Sequence, residues 1–307
     1  MSAILRRTAT TLLAALGAVL LVSIFLDLIP GDPIDAILGE QAQEADRAEL
    51  RQALHLDEPL ASRLWIFARD TATLDLRSSV PPFQDRVFER IGRALPNTGI
   101  LAGCSILVAL LISFPLGLVA GARPGGKLDL AASGFAVLGV ALPRIWLGPM
   151  LILLFAIWLD WLPVSGLEEP SSLVLPSLTM GLALAAFLAR MIRASLLDAT
   201  GEDYVRTARA KGLGEPTVLV KHALRNAMLP ILTVLGLQLG ALLGGAVITE
   251  KVFNYPGMGT LLLQAIDRRD YNMVRACVLT FTLAYVLVNL LTDLAYAAAD
   301  PRVRARR

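Results

Sequence analysis

The sequence predicts an all-α polytopic membrane protein, and three observations predict it. Hydrophobic residues make up 55% of the 307 residues and charged residues only 18%, with a mean hydropathy of +0.63; soluble domains of this length carry more charge. Six apolar segments approach the length of about 20 residues that a helix needs to cross a bilayer, where every backbone amide must be paired within its own segment. Lys and Arg are spread unevenly over the connections between those segments, as in a chain whose basic loops stay inside.

The six spans are read at 8–28, 98–122, 130–159, 173–194, 231–249 and 273–297. The first follows Arg6 and Arg7, a cytoplasmic anchor pair. A cleaved or twin-arginine signal competes with that reading, but no A-x-A-like site follows; Asp27-Leu28-Ile29-Pro30-Gly31-Asp32-Pro33 instead stops a helix and starts a turn. Pro143 predicts a kink in the third span.

Orientation follows from charge. With the N-terminus inside, the inner side holds 15 Lys and Arg residues, whereas the short outer connections 160–172 and 251–272 hold three. Both termini are therefore expected in the cytoplasm. Residues 30–97 carry 12 acidic and 8 basic residues and fall outside, where long translocated segments escape the charge rule. Leu60, Leu64, Phe67, Thr71 and Leu74 recur at helical spacing after Pro59, so this segment is expected to form a small helical cap. The expected organisation is an anchor span over 1–29, an external helical segment over 30–97, and a core domain over 98–307 containing the cytoplasmic connection 195–230.

No reactive constellation marks an enzyme. H-E-x-x-H and G-x-S-x-G motifs are absent. Cys104 and Cys277 sit in apolar runs, and His55 and His222 are isolated, so no catalytic or metal site is expected. Gly121-Ala122-Arg123-Pro124-Gly125-Gly126-Lys127-Leu128 spells G-x-x-x-x-G-K, but Leu128 replaces the hydroxyl that would hold magnesium. It joins two spans rather than a strand to a helix. A tight turn is expected there, and no nucleotide on this chain.

The connection 195–230 predicts a helix–turn–helix outside the membrane. Asp203 belongs to the first turn of its first helix and Arg209 and Lys211 to the end, in agreement with the helix dipole; Gly212 or Gly214 terminates it. Ala208 and Ala210 would let another protein approach the backbone closely. A basic loop on lipid headgroups is the plainer reading, but it has no need of this Ala/Gly pattern.

Arg206-Thr207-Ala208-Arg209-Ala210-Lys211-Gly212 resembles the EAA loop of ABC-importer permeases, in the R-T-A-x-A-K-G form of the dipeptide/oligopeptide/nickel branch. Arg206 and Thr207 depart from the general consensus, and the spacing from Gly212 to Pro230 is longer, as in that branch. Further ordered matches are Leu28-Ile29-Pro30-Gly31-Asp32-Pro33, Leu56-Asp57-Glu58-Pro59-Leu60, Leu95-Pro96-Asn97-Thr98, and the external E-x-x-F-x-x-P-G-x-G from Glu250 to Gly259. The C-terminal signature is matched by 289–296 and by Asp300-Pro301-Arg302.

The resemblance implies a type I ABC-importer permease fold in a bacterial inner membrane. It implies that 203–213 is a coupling helix, contacting an ATPase through Tyr204, Arg206, Thr207, Ala208, Ala210, Lys211 and Gly212. A second homologous permease, two cytoplasmic ATPase subunits and an external substrate-binding protein are the implied partners, beside membrane lipid and without nucleic acid. ATP and Mg²⁺ then belong to the ATPases, and this chain binds no cofactor. Peptides, nickel chelates, glutathione and related solutes are the implied substrates.

Polar residues at membrane depth usually face an interior. Arg144, Gln238, Asn289 and Asp293 are therefore candidates for the substrate path, with Arg144 placed either to attract an anionic group or to pair with Asp27 or Asp293. Gly236, Gly240 and Gly244 recur every four residues, a face for close packing against a partner permease or within the same subunit. An ion-coupled secondary transporter is the rival class; intramembrane Arg144 and Asp293 suit it, but it has no use for an ATPase-docking loop.

Overall fold

The computed structural model describes the backbone of residues 2–28, 43–53, 55–80 and 85–299, with Ile34 and Leu38. Side chains of residues 2–12, 49, 50, 53, 144, 229, 293 and 295–299 lie outside the described residues. The anchor pair Arg6 and Arg7, the 29–33 turn and the 300–302 signature therefore fall, wholly or by their side chains, outside them.

All six predicted spans are helical. They are α1 (Ser2–Leu28), α4 (Val87–Ala122), the broken pair α5 (Lys127–Ala141) and α6 (Arg144–Leu151), α7 (Val174–Thr200), α9 (Arg225–Val252) and α11 (Tyr271–Ala299). Between them lie α2 (Glu44–Ala53), α3 (Leu60–Ala72), α8 (Asp203–Ala210) and α10 (Met258–Asp267). Four helices are long and apolar enough to cross a bilayer by themselves, and the broken pair makes a fifth; α1 adds the apolar stretch Leu13–Leu28.

The prolines correct the predicted boundaries in both directions. The third span is not kinked at Pro143 but broken, its two halves meeting at 110°. Leu142 and Pro143 are extended, with ψ of 122° and 133°, because proline pushes the residue before it out of the α region. Pro96 and Pro230 instead lie inside α4 and α9, whose neighbouring turns continue through them. The helix that carries the second span consequently starts at Val87, well before Thr98.

The chain forms two compact units. One comprises Met1–Thr98 and Pro256–Val286. Its core joins Val19 and Leu26 of α1, Phe67 of α3, Val87 and Ile91 of α4, and Met258, Met273 and Cys277 of the C-terminal helices. Helix α3 starts after Pro59 as predicted and buries Phe67, worth about 2 kcal/mol. Leu74 leaves the predicted stripe: the helix ends at Ala72, and Leu74 is exposed at φ +57°. Buried Asp270 fastens the external segment, accepting hydrogen bonds from Ser78 Oγ at 2.6 Å and the Ser79 amide at 2.8 Å. Two of the quoted motifs meet here: Asn97 Nδ2 donates to Pro256 O at 2.7 Å, and the Met258 amide to Thr98 Oγ1 at 2.8 Å.

The other unit comprises Gly99–Tyr255 and Leu287–Arg307. Helix α7 is its axis, 67% buried over its span window, against 28% for α9. Small residues bring its neighbours close: a Cβ on Gly139 would meet Ala186 Cβ at 2.5 Å, and one on Gly181 would meet Val108 and the Ser105 carbonyl. At the end of α9 the chain folds over Phe253 and Tyr255, both buried. The Tyr255 amide donates to Glu250 O at 2.8 Å, and Gly166 N to Phe253 O at 3.1 Å. Burial, and secondarily the negative charge of Glu250, pushes the Tyr255 phenol up to about 12.

Candidate functional site: the helix 203–210 and its glycine turn

Helix α7 stops at Gly201, whose amide bonds back to Asp198 O at 3.2 Å. Glu202 takes an extended conformation and its carbonyl receives the amides of Val205 and Arg206, which starts α8. Asp203 lies in the first turn and Arg209 in the last, as the dipole requires. Gly212, at φ +79°, ends the helix; its amide donates to Arg209 O at 2.9 Å. Gly214 has another task, capping the turn Glu215–Thr217.

The eight residues of α8 divide into two faces. Val205 and Ala208, three apart, are buried in a cluster with Ile192, Leu196 and Ala199 of α7 and Ala227 and Ile231 of α9. Asp203, Tyr204, Arg206, Thr207, Ala210 and Lys211 are exposed. Ala208 therefore corrects the expectation: its small side chain admits this chain's own core, not a partner's surface. Thr207 Oγ1 donates to Asp203 O at 2.9 Å, a bond back along the helix.

A clamp holds the turn after α8. Arg209 Nε donates to Glu215 Oε1 at 2.7 Å across Gly212. Nothing in the sequence marks that pair, since residues six apart meet only when the intervening turn is tight. Val205 was discoverable, as an apolar residue three before Ala208. Beyond Glu215 the predicted second helix is not separate. A π-helical segment, Val218–Leu224, carries Lys221 and His222 straight into α9.

The glycine-rich turn before α5 is occupied by its own carboxylate. Asp129 Oδ2 accepts the Gly125 amide at 2.9 Å, and Arg193 Nε and Nη2 reach Asp129 at 2.5 and 2.8 Å. An amide that would face a phosphate in a nucleotide loop is thus already bonded within the chain.

The substrate-path candidates are less gathered. Arg144 begins α6 and Asp293 lies in α11, and both side chains are outside the described residues. Gln238 and Asn289 are half-buried. Asp27, one proposed partner for Arg144, is taken: Arg63 holds it through Nη1 at 2.9 Å and Nη2 at 2.5 Å. Of the glycine stripe, Gly236 packs against Thr292 of the same chain, Gly240 is buried, and the Cβ position of Gly244 is open space among the described residues.

Comparison with known proteins matches residues 113–305 to the family described as binding-protein-dependent transport system inner membrane component. The chain is similar to the glutathione transport system permease protein GsiC of Pectobacterium atrosepticum, 42% identical over 284 residues and 92% of each chain. It is similarly related to GsiC of Salmonella typhi, 40% identical over 301 residues and 98% of each. A solved inward-facing structure of the MetNI methionine ABC transporter shares the fold, with a TM-score of 0.60 at 19% identity, over 69% of this chain and 96% of that one.

Proposed function

Because the chain belongs to the family of binding-protein-dependent transport system inner membrane components, we propose that the exposed face of α8 docks into a cytoplasmic ATPase subunit and carries the work of ATP into the membrane. The chain is a multi-pass permease subunit of an ABC importer in the bacterial inner membrane.

The division of α8 into an anchored and an exposed face is the observation that carries the docking reading. Val205 and Ala208 tie the helix to α7 and α9, and the Arg209–Glu215 pair stiffens its exit. A displacement imposed on Tyr204, Arg206, Thr207, Ala210 and Lys211 therefore reaches the spans as a rigid-body motion. Such coupling requires that the ATPases contact this face differently in their open and closed states. ATP is bound with Mg²⁺ and hydrolysed on the ATPase subunits; the occupied Gly125 amide supports a permease that binds neither.

Two such ATPases, a second homologous permease and an external binding protein complete the importer. Small peptides or peptide-like solutes are its cargo, a reading supported by the glutathione permeases among its relatives. Arg144, Gln238, Asn289 and Asp293 line the path. Gly244, with open space among the described residues at its Cβ position, packs against the partner permease. The test is uptake of glutathione by cells carrying the whole importer. ATP depletion should abolish uptake, and a protonophore at constant ATP should leave it unchanged; the reverse pattern would assign the chain to ion-coupled transport.

A further inference from the structure

A cavity of about 520 Å³ opens within the unit that contains the external segment, between α3, the residues after it and the start of α11. That volume is within the range of small-molecule sites. Four arginines line it: Arg63, Arg69, Arg77 and Arg275. Three are matched by carboxylates. Arg63 holds Asp27 with both terminal nitrogens, Arg69 pairs with Asp70 at 2.9 Å, and Arg77 with Asp75 at 3.4 Å.

Arg275 is the exception. It is 5% exposed, its Nε is buried without a hydrogen-bond partner, and no carboxylate lies within ion-pair distance among the described residues. Asp270, five residues earlier, is committed to Ser78, the Ser79 amide and the Met273 amide. Asn272, beside the cavity, is likewise committed, its Nδ2 donating to Arg77 O at 3.0 Å. A buried guanidinium with no ion-pair or hydrogen-bond partner of its own is expensive, and carboxylates answer its planar fork with two parallel hydrogen bonds.

We propose that this cavity is a binding site for the carboxylate of a peptide-sized solute, with Arg275 as the residue that receives it. Of the four arginines that line the cavity, Arg275 alone has no carboxylate bound to it among the described residues, so it is the guanidinium free to take an anion. Tyr271 and Asn272, one turn before Arg275, stand beside the remainder of the ligand. The proposal concerns binding by this chain's own external segment and stands whether or not α8 docks on an ATPase.

The test measures binding of triglycine and of its C-terminal amide to the purified full-length chain in nanodiscs, by calorimetry at neutral pH. The free acid should bind about tenfold or more tightly than the amide, the discrimination expected of a charge-assisted pair. Arg275→Gln should reduce acid binding to the level of the amide, and Arg275→Lys should restore part of the preference. Equal binding of acid and amide by the unaltered chain would overturn the proposal, and that comparison needs no variant to fold. Undiminished preference in a folded Arg275→Gln chain would overturn it too, as would complete displacement by equimolar inorganic phosphate.

Discussion

Arg193 of α7 grips both carboxylate oxygens of Asp129, which closes the glycine-rich turn by accepting the amide of Gly125. One carboxylate thus fixes the entry to α5, ties it to α7, and occupies the Gly125 amide. Removing either partner strands the other. Asp129→Asn and Arg193→Gln should each lower the melting temperature of the detergent-solubilised chain, and the double variant should lose less than the two losses combined. Strict additivity would mean that the contact contributes nothing as a pair.

Gly212 tests why a glycine ends α8. Its φ is +79° and open space surrounds its Cβ position, so conformation, not crowding within the chain, excludes other residues. Gly212→Val should cost about 1–2 kcal/mol in the turn and abolish uptake while membrane insertion persists. Asn tolerates the left-handed region, so Gly212→Asn should preserve the helix end seen by hydrogen exchange. Uptake by Gly212→Asn then separates the two roles: loss would mean that a partner's surface also needs the missing side chain.

Two glycines of one stripe should respond differently. Gly236→Val collides with Thr292 of α11 and should destabilise the isolated chain by about 1–3 kcal/mol in thermal unfolding. Gly244→Val places its Cβ in open space among the described residues and should leave the chain's stability unchanged, yet reduce co-purification of the second permease. Equal destabilisation by both would place Gly244 in an internal contact.

Tyr255 supplies a pH dependence. Its phenol is pushed up from the ordinary 10.0 to about 12, so the stability it contributes is complete below pH 10 and is lost as pH rises towards 12. A spectrophotometric titration should contain a phenolic step displaced upward to about pH 12. Tyr255→Phe should remove that step.

The fold was legible because lipid imposes a simple demand: a segment with few charges and enough length must be a helix. Sequence alone could not say what each proline does. Pro143 breaks a span while Pro96 and Pro230 are absorbed, and the difference lies in whether the preceding residue stays helical, which packing decides. Helix α8 was legible in its start at Asp203 and in its glycine stop, because capping and dipole effects are local, although it ends at Ala210 and not at 213. Its faces were not. Ala208 points inward only because α7 and α9 converge there. Arg275 falls inside the predicted sixth span as Arg144 falls inside the third, but its lack of an ion-pair partner was not legible, since that depends on Arg63 having claimed Asp27.

The docking face of α8 is the centre of the account, and site-specific photocross-linking in the assembled importer tests it most directly. A photoreactive residue at Tyr204, Thr207 or Lys211 should join this chain to the ATPase subunit, with yields that change when ATP is added. One at Val205, buried against α7 and α9, should give no such adduct. Absence of ATPase adducts from all three exposed positions, in a complex that still takes up solute, would contradict the account.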